Sequence, residues 1–282
     1  MKKYKEFLIT AEPFNAELLS SILWELEITG INEDVNCIRV FAEPESNLDQ
    51  DRINEQLNKL RREGLLRNFN VEESLLEERN WNEEWEQSLN IIQVSDKIVI
   101  KPSTKDYDKK KDEIVITIDP KMSFGTGEHQ TTKLVIQLLE KYTLPGMKIL
   151  DAGTGTGILS IAAVKLGAAR VIGFDTDEWC YENAQENCKV NNVSEQVEIR
   201  IGDINIIPEK DFDLILANIQ KNILLELSGE FSKKLDSKGI ILLSGLLKDD
   251  ERDIIKVYTS KGFRYLESRQ MDEWIAMGLV KN

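Results

Sequence analysis

Apolar positions in the first seventy residues follow two rhythms. YKEFLIT, near the start, is a short apolar-rich run stopped by Pro13 and predicts a strand. Phe14, Leu18, Leu19, Ile22 and Leu26 then recur at three- and four-residue spacing, which predicts an amphipathic helix ended by Gly30. CIRVFA alternates as a strand before Pro44. Ile53, Leu57 and Leu60 mark a second amphipathic helix closed by Gly64, and FNVEESLL supplies a last strand. The order strand, helix, strand, strand, helix, strand predicts a small ferredoxin-like α+β module over residues 1–76. No residue in it forms a nucleophile or metal pattern, so its expected task is recognition or assembly.

Residues 77–94 change character. EERNWNEEWEQSL is polar and Glu-rich, with Trp81 and Trp85 four residues apart, and predicts a linker helix whose aromatic pair docks on a neighbouring domain. Seven glutamates between positions 72 and 86 argue against base stacking by these tryptophans. In the remaining segment, 95–282, KIVIK and EIVITI read as short strands, with the solvated lysines Lys109 to Lys111 in the turn between them. From residue 131 the pattern alternates: a helix (TTKLVIQLLEKY), the strand KIL, a glycine-rich loop and the helix ILSIAAVKLGA. VIGF, VEIRI, DLILA and GIILL follow as short apolar strands with helical stretches between most of them. Such alternation predicts a parallel sheet covered on both faces. FRYLE and WIAMGLV lie too close for a crossover helix and predict an antiparallel hairpin at one sheet edge.

Composition narrows the class. Of 282 residues, 41% are hydrophobic and 30% charged, which excludes a disordered chain, a fibre or a disulfide knot. No run approaches the length of a membrane-spanning helix, and MKKYKEFLITAEPF lacks the apolar stretch of a signal peptide. Cys37, Cys180 and Cys188 are odd in number and without zinc spacing, so a reduced, cytoplasmic setting is expected. Thirty-six basic against fifty acidic residues give −14. Residues 1–90 carry ten Lys/Arg and twenty Asp/Glu (10 − 20 = −10), whereas 91–282 carry 26 and 30 (−4). An acidic surface repels phosphate backbones, which disfavours a nucleic-acid substrate and favours a basic protein partner.

The candidate chemistry begins at Asp151-Ala-Gly153-Thr-Gly155-Thr-Gly157, directly after strand KIL and opening a helix. Glycines there let a ligand approach the backbone amides. The nicotinamide pattern G-x-G-x-x-G fails, because Ile158 or Ser160 stands where its third glycine belongs. A Walker loop fails too, since no Gly-Lys-Ser/Thr follows. What remains, D-x-G-x-G-x-G, is similar to the motif of class I S-adenosylmethionine-dependent methyltransferases. Asp175 ends the next strand, 22 residues after Gly153, where a carboxylate can accept both ribose hydroxyls; the alternative is a helix N-cap, a task open to Thr176 or Asp177. Gly202 and Asp203 follow VEIRI, where Asp203 either meets the adenine edge or serves as a turn residue. Asn218 ends DLILA and either orients an amine lone pair or closes the strand. The prolines and aromatic of the Asn-Pro-Pro-Tyr pattern are missing after it. The stretch from Asp119 to Thr132, D-P-x-x-x-F-G-T-G-x-H-x-T-T, holds the single histidine, His129, and no metal-ligand set. Thr131 or Thr132 could serve as a helix cap, although the motif is long and unusual for a cap alone, and His129 is a candidate general base.

That stretch, the run D-x-G-x-G-x-G-I-L-x-I-A-A-x-K-L-G-A and A-N-I in place of N-P-P-Y resemble the ribosomal protein L11 methyltransferase family (PrmA), closely over residues 80–282 and in layout before that. The resemblance implies a class I, Rossmann-like methyltransferase domain with a mostly parallel seven-stranded sheet and terminal antiparallel hairpin, behind an N-terminal ferredoxin-like substrate-recognition domain and linker helix. It implies S-adenosylmethionine as cofactor, held by Thr132, Gly153, Gly155, Asp175 and Asn218, with Asn218 also catalytic. It further implies methylation of Lys side chains and the N-terminal α-amine of ribosomal protein L11 by a cytoplasmic monomer. Thr154 stands where many relatives have Cys. Another basic protein or a small amine as acceptor, or a non-catalytic assembly role, remain alternatives on the same fold.

Overall fold

The computed structural model describes residues 3–77 and 89–282. The expected linker helix with Trp81 and Trp85 therefore falls mostly outside the described residues. The chain divides into two compact units, Met1–Trp81 and Asn82–Asn282.

In the first unit the elements run β1 (Lys3–Glu12), α1 (Ala16–Leu23), β2 (Gly30–Glu33), β3 (Ile38–Ala42), α2 (Gln50–Arg62) and β4 (Asn68–Glu77). The strands form an antiparallel sheet of order β2-β3-β1-β4, the ferredoxin-like arrangement. Period-two alternation places Ile38, Val40 and Ala42 of β3 in the core with Phe7 and Ile9 of β1. Leu19 and Leu23 of α1 and Ile53, Leu57 and Leu60 of α2 close that core. Asn15 and Asp49 cap the two helices, accepting from the N–H of Leu18 and Arg52. Gly30 does not end α1, contrary to the periodicity: the helix stops at Leu23, and Gly30 opens β2 opposite Phe41. The physical reason is strand pairing, which already starts where Thr29 N–H donates to Phe41 O at 2.7 Å.

The second unit opens with a three-stranded sheet, β5 (Ile92–Gln93), β6 (Ile98–Lys101) and β7 (Ile114–Thr117), in order β5-β6-β7. Because β6 and β7 are parallel, the lysine-bearing segment between them is a return connection, not a hairpin turn. Then follow α3 (Gln130–Tyr142), β8 (Lys148–Ala152), α4 (Ile158–Lys165), β9 (Arg170–Asp175), α5 (Glu178–Val190), β10 (Val197–Ile201) and β11 (Phe212–Asn218). The rest is α6 (Lys221–Lys234), β12 (Leu235–Leu247), α7 (Glu251–Ser260), β13 (Phe263–Met271) and β14 (Trp274–Lys281).

These strands build one seven-stranded sheet, β10-β9-β8-β11-β12-β14-β13, parallel except for β14, which runs against both neighbours. This is the expected class I methyltransferase architecture with its terminal hairpin. Alternate residues of β11 serve two layers. Leu214 and Leu216 pack with Leu134, Leu138 and Leu159 on one face, while Ile215 and Ala217 pack with Leu224, Phe231 and Tyr258 on the other. Both faces are thus dry, which is why the strands read as continuous apolar runs. Strand order reverses between β8 and β11, and a crevice beyond their carboxyl ends is the expected seat of a ligand.

Candidate active site

At that switch point β8 delivers the glycine turn. Asp151, fully buried at the end of the strand, accepts from the hydroxyls of Thr154 and Ser160 at 2.8 and 2.7 Å through one carboxylate oxygen. Burial pushes its carboxyl up to about 6, against the opposing pull of those hydroxyls. The turn itself needs glycine. Gly155 sits at φ +54°, and a Cβ there would lie 2.3 Å from Phe124 O. Gly153, at φ +72°, leaves a similarly close approach to Ile219, whose Cγ2 a Cβ would meet at 2.4 Å.

The Asp119–Thr132 stretch docks on this turn. Thr156 N–H donates to Phe124 O at 2.9 Å, and Thr156 Oγ1 donates to Gly125 O at 2.8 Å. The two unusual motifs of the sequence thus form one wall. His129, rather than Thr131 or Thr132, is the N-cap of α3: its Nδ1 accepts from Thr131 N–H at 3.3 Å and lies 2.8 Å from Thr131 Oγ1. The threonines are instead buried on the first turn. Edge-to-face contacts hold the imidazole between Phe124 (centroids 5.5 Å apart) and Trp274 (4.9 Å).

From β9, Asp175 accepts Gly155 N–H at 3.0 Å with Oδ2 and Asp177 N–H at 3.1 Å with Oδ1. The capping alternative falls to Asp177, which accepts from Trp179 N–H at the start of α5. Asp203 accepts from Asn205 N–H at 2.8 Å, the turn role, while also facing the crevice. On β11, Asn218 Nδ2 donates to Thr132 Oγ1 at 3.5 Å.

These elements enclose a cleft of about 790 Å³, within the range of small-molecule sites. Gly153, Gly155, Asp175 and Asn218 all line it; Thr132 does not, and stands behind Asn218. Ile223, Glu226, Leu227, Gly245 and Trp274 also line it, and no sequence motif marks them. Trp274 brings an aromatic to the cleft from the hairpin, 56 residues downstream (274 − 218) of the Asn-Pro-Pro-Tyr position where one was missing. Its only sequence signal is a large aromatic at a hairpin corner.

Among the described residues lining the cleft, Asp175, Asp177, Asp203 and Glu226 are acidic and none is Lys or Arg, so the site suits a cationic ligand. The Cys180 thiol also faces it, and burial raises that thiol's pKa, leaving it a poor nucleophile. Among the described residues no group of three or more His, Cys, Asp or Glu could hold a metal ion, and no helix is long and apolar enough to cross a membrane.

Residues 14–282 match the family model described as Ribosomal protein L11 methyltransferase (PrmA). A ribosomal protein L11 methyltransferase of Thermoanaerobacter pseudethanolicus is 34% identical over 276 residues, covering 96% of this chain and 89% of that one. Another, from Acetivibrio thermocellus, is 37% identical over 204 residues, 72% of this chain and 65% of the relative. Among solved structures, ribosomal protein L11 methylase from Lactobacillus delbrueckii subsp. bulgaricus superposes with a TM-score of 0.65 at 30% identity, covering 69% of this chain and all of that one. With the glycine turn, the spaced acid and the sheet order, these matches settle the assignment: the chain belongs to the ribosomal protein L11 methyltransferase family.

Proposed function

We propose that the protein transfers methyl groups from S-adenosylmethionine to ribosomal protein L11, with Lys side chains and the N-terminal α-amine as acceptors. The observation that carries the reading is the cleft at the switch point, lined by Gly153, Gly155, Asp175 and Asn218, with four acids and no Lys or Arg among the described lining. S-adenosylmethionine, net positive, suits that charge, and when bound it supplies an electrophilic methyl group on a sulfonium. Gly153 and Gly155 leave room for its approach, Asp175 holds the ribose hydroxyls, and Thr132 fixes the Asn218 amide from behind.

Asn218 acts on the acceptor by taking a hydrogen bond from the amine with its side-chain oxygen and so turning the lone pair inward. Ile219 and Trp274 bring apolar surface to the cleft, and desolvation there lowers the amine's pKa and favours its neutral, nucleophilic form. Displacement at the methyl group needs no covalent enzyme intermediate, in keeping with a Cys180 thiol whose pKa burial raises. The proton leaves with solvent. The acidic first unit is read as the part that recognises the basic substrate, with residues 95–282 as the methyltransferase domain and a cytoplasmic monomer as the working form.

The test is direct. Purified protein is incubated with S-adenosylmethionine and unmethylated L11 from the same cell, and the intact mass of L11 is read. Gains in methyl-sized steps, mapped to lysines and the N-terminus, are expected. Cofactor binding without any gain would overturn the substrate, and absence of both would overturn the enzyme.

A further inference from the structure

Helix α5 carries Asn183 and Asn187, and its C-cap is Asn191; the three asparagines are four residues apart and all buried. The motif readings assign none of them. Asparagine is a mediocre helix former, so burying three in register needs a reason beyond the helix. Their side chains pair with main chain. Asn191 Oδ1 accepts Thr117 N–H at 3.0 Å, and its Nδ2 donates to Thr117 O at 2.6 Å. Asn187 Oδ1 accepts Asp119 N–H at 3.0 Å, and its Nδ2 donates to Asp119 O at 3.3 Å. Asn183 Nδ2 adds a second donor to Asp119 O at 2.8 Å.

The geometry explains the spacing. Four residues of helix rise about 6 Å, and two residues of extended chain about 6.6 Å. In an extended chain, residues two apart point their N–H and C=O to the same side. The helix therefore acts as a surrogate strand along the free edge of β7. The two differ in their third bond: Asn191 Nδ2 also donates to Asn187 O at 2.9 Å within the helix end, whereas Asn187 Nδ2 also donates to Thr156 O at 3.0 Å. Thr156 belongs to the glycine turn, and its N–H and hydroxyl already bind Phe124 and Gly125.

We propose that Asn187 is a positioning residue for cofactor binding. It joins the root of the Asp119–His129 loop to the glycine turn, so that this wall of the cleft is set before the ligand arrives. It does not line the cleft itself. Asn191, which holds Thr117 but not the turn, is the internal control. The inference rests on the cofactor reading above.

The test compares Asn187→Ala and Asn191→Ala in the full chain by calorimetry with S-adenosylmethionine, by thermal melting, and by hydrogen exchange at the Thr156 amide. Asn187→Ala raises the cofactor Kd at least tenfold and speeds Thr156 exchange. Asn191→Ala lowers Tm with Kd and Thr156 exchange within twofold of the parent. Asn187→Asp keeps the acceptor for Asp119 N–H and loses both donated bonds, so it reports the same rise in Kd should the alanine variant not fold. Equal Kd changes in the two alanine variants, in step with their Tm losses, would reduce Asn187 to a structural residue and overturn the proposal. A parent protein that binds no S-adenosylmethionine would instead sink the cofactor reading, with Thr156 exchange still deciding the clamp.

Discussion

Asp175 serves two purposes with one carboxylate. An ionised carboxylate offers about four acceptor positions; backbone N–H groups of Gly155 and Asp177 take one on each oxygen, which leaves two for a diol. Asp175→Ala removes the ligand's partners and loosens the turn together. With hydrogen bonds to charged groups worth about 1.5–3 kcal/mol, cofactor affinity should fall roughly 10- to 100-fold by calorimetry. Asp151 makes a different prediction. Its folded pKa of about 6 lies above the ordinary 3.8, so the folded chain holds this proton more tightly than the unfolded chain. The associated stability is present below pH 3.8 and lost as pH rises through about 6. A rise of about two units corresponds to about 3 kcal/mol. Urea unfolding from about pH 4 to about pH 7 should show the parent losing that much relative to Asp151→Asn. A pH-independent difference between the two proteins would refute this account.

At the scale of elements, α3 shows how the site is tied to secondary structure. A neutral imidazole that accepts at Nδ1 carries its hydrogen on Nε2, so His129 cannot cap the helix and serve as a base from Nε2 at once. His129→Asn, a good cap without a basic ring, should keep Tm and methyl-transfer turnover within a few-fold of the parent. His129→Ala should cost about 1 kcal/mol of stability. Turnover abolished in His129→Asn, with cofactor binding intact, would restore the general base. The same helix marks how far the sequence could be read. Strand alternation and the D-x-G-x-G-x-G turn announced the parallel sheet and its hairpin, because burial on both faces leaves a continuous apolar signature on β8, β9 and β11. Gly30 misled because pairing with β3 outweighs local periodicity. Trp274 and the Asn187 bonds left almost no trace, since contacts between distant main chain and side chains impose no period; three asparagines four apart were the one clue.

For the whole molecule, charge is the useful coordinate. Residues 1–81 carry ten Lys/Arg and seventeen Asp/Glu (10 − 17 = −7), on a unit with its own buried core. If that unit recognises a basic protein, kcat/KM toward L11 should fall several-fold between about 50 and 300 mM salt, as screening shortens toward a few ångströms. Cofactor affinity should move far less. Deleting residues 1–75 should abolish methylation of L11 while leaving S-adenosylmethionine binding near the parent value. Activity that ignores salt and survives the deletion would remove the first unit from recognition. The hairpin adds a consequence in time. The cleft joins Gly153 to Trp274, and β14 lies between β12 and β13. At roughly 5–20 residues per second, the ribosome makes the glycine turn on the order of ten seconds before Trp274. Once β12 is made, its edge at Ile241 and Leu243 waits a further 38 and 34 residues (279 − 241, 277 − 243) for Leu279 and Met277. The nascent chain must cross this window without help from its ligand, open to chaperones and to wrong strands alike.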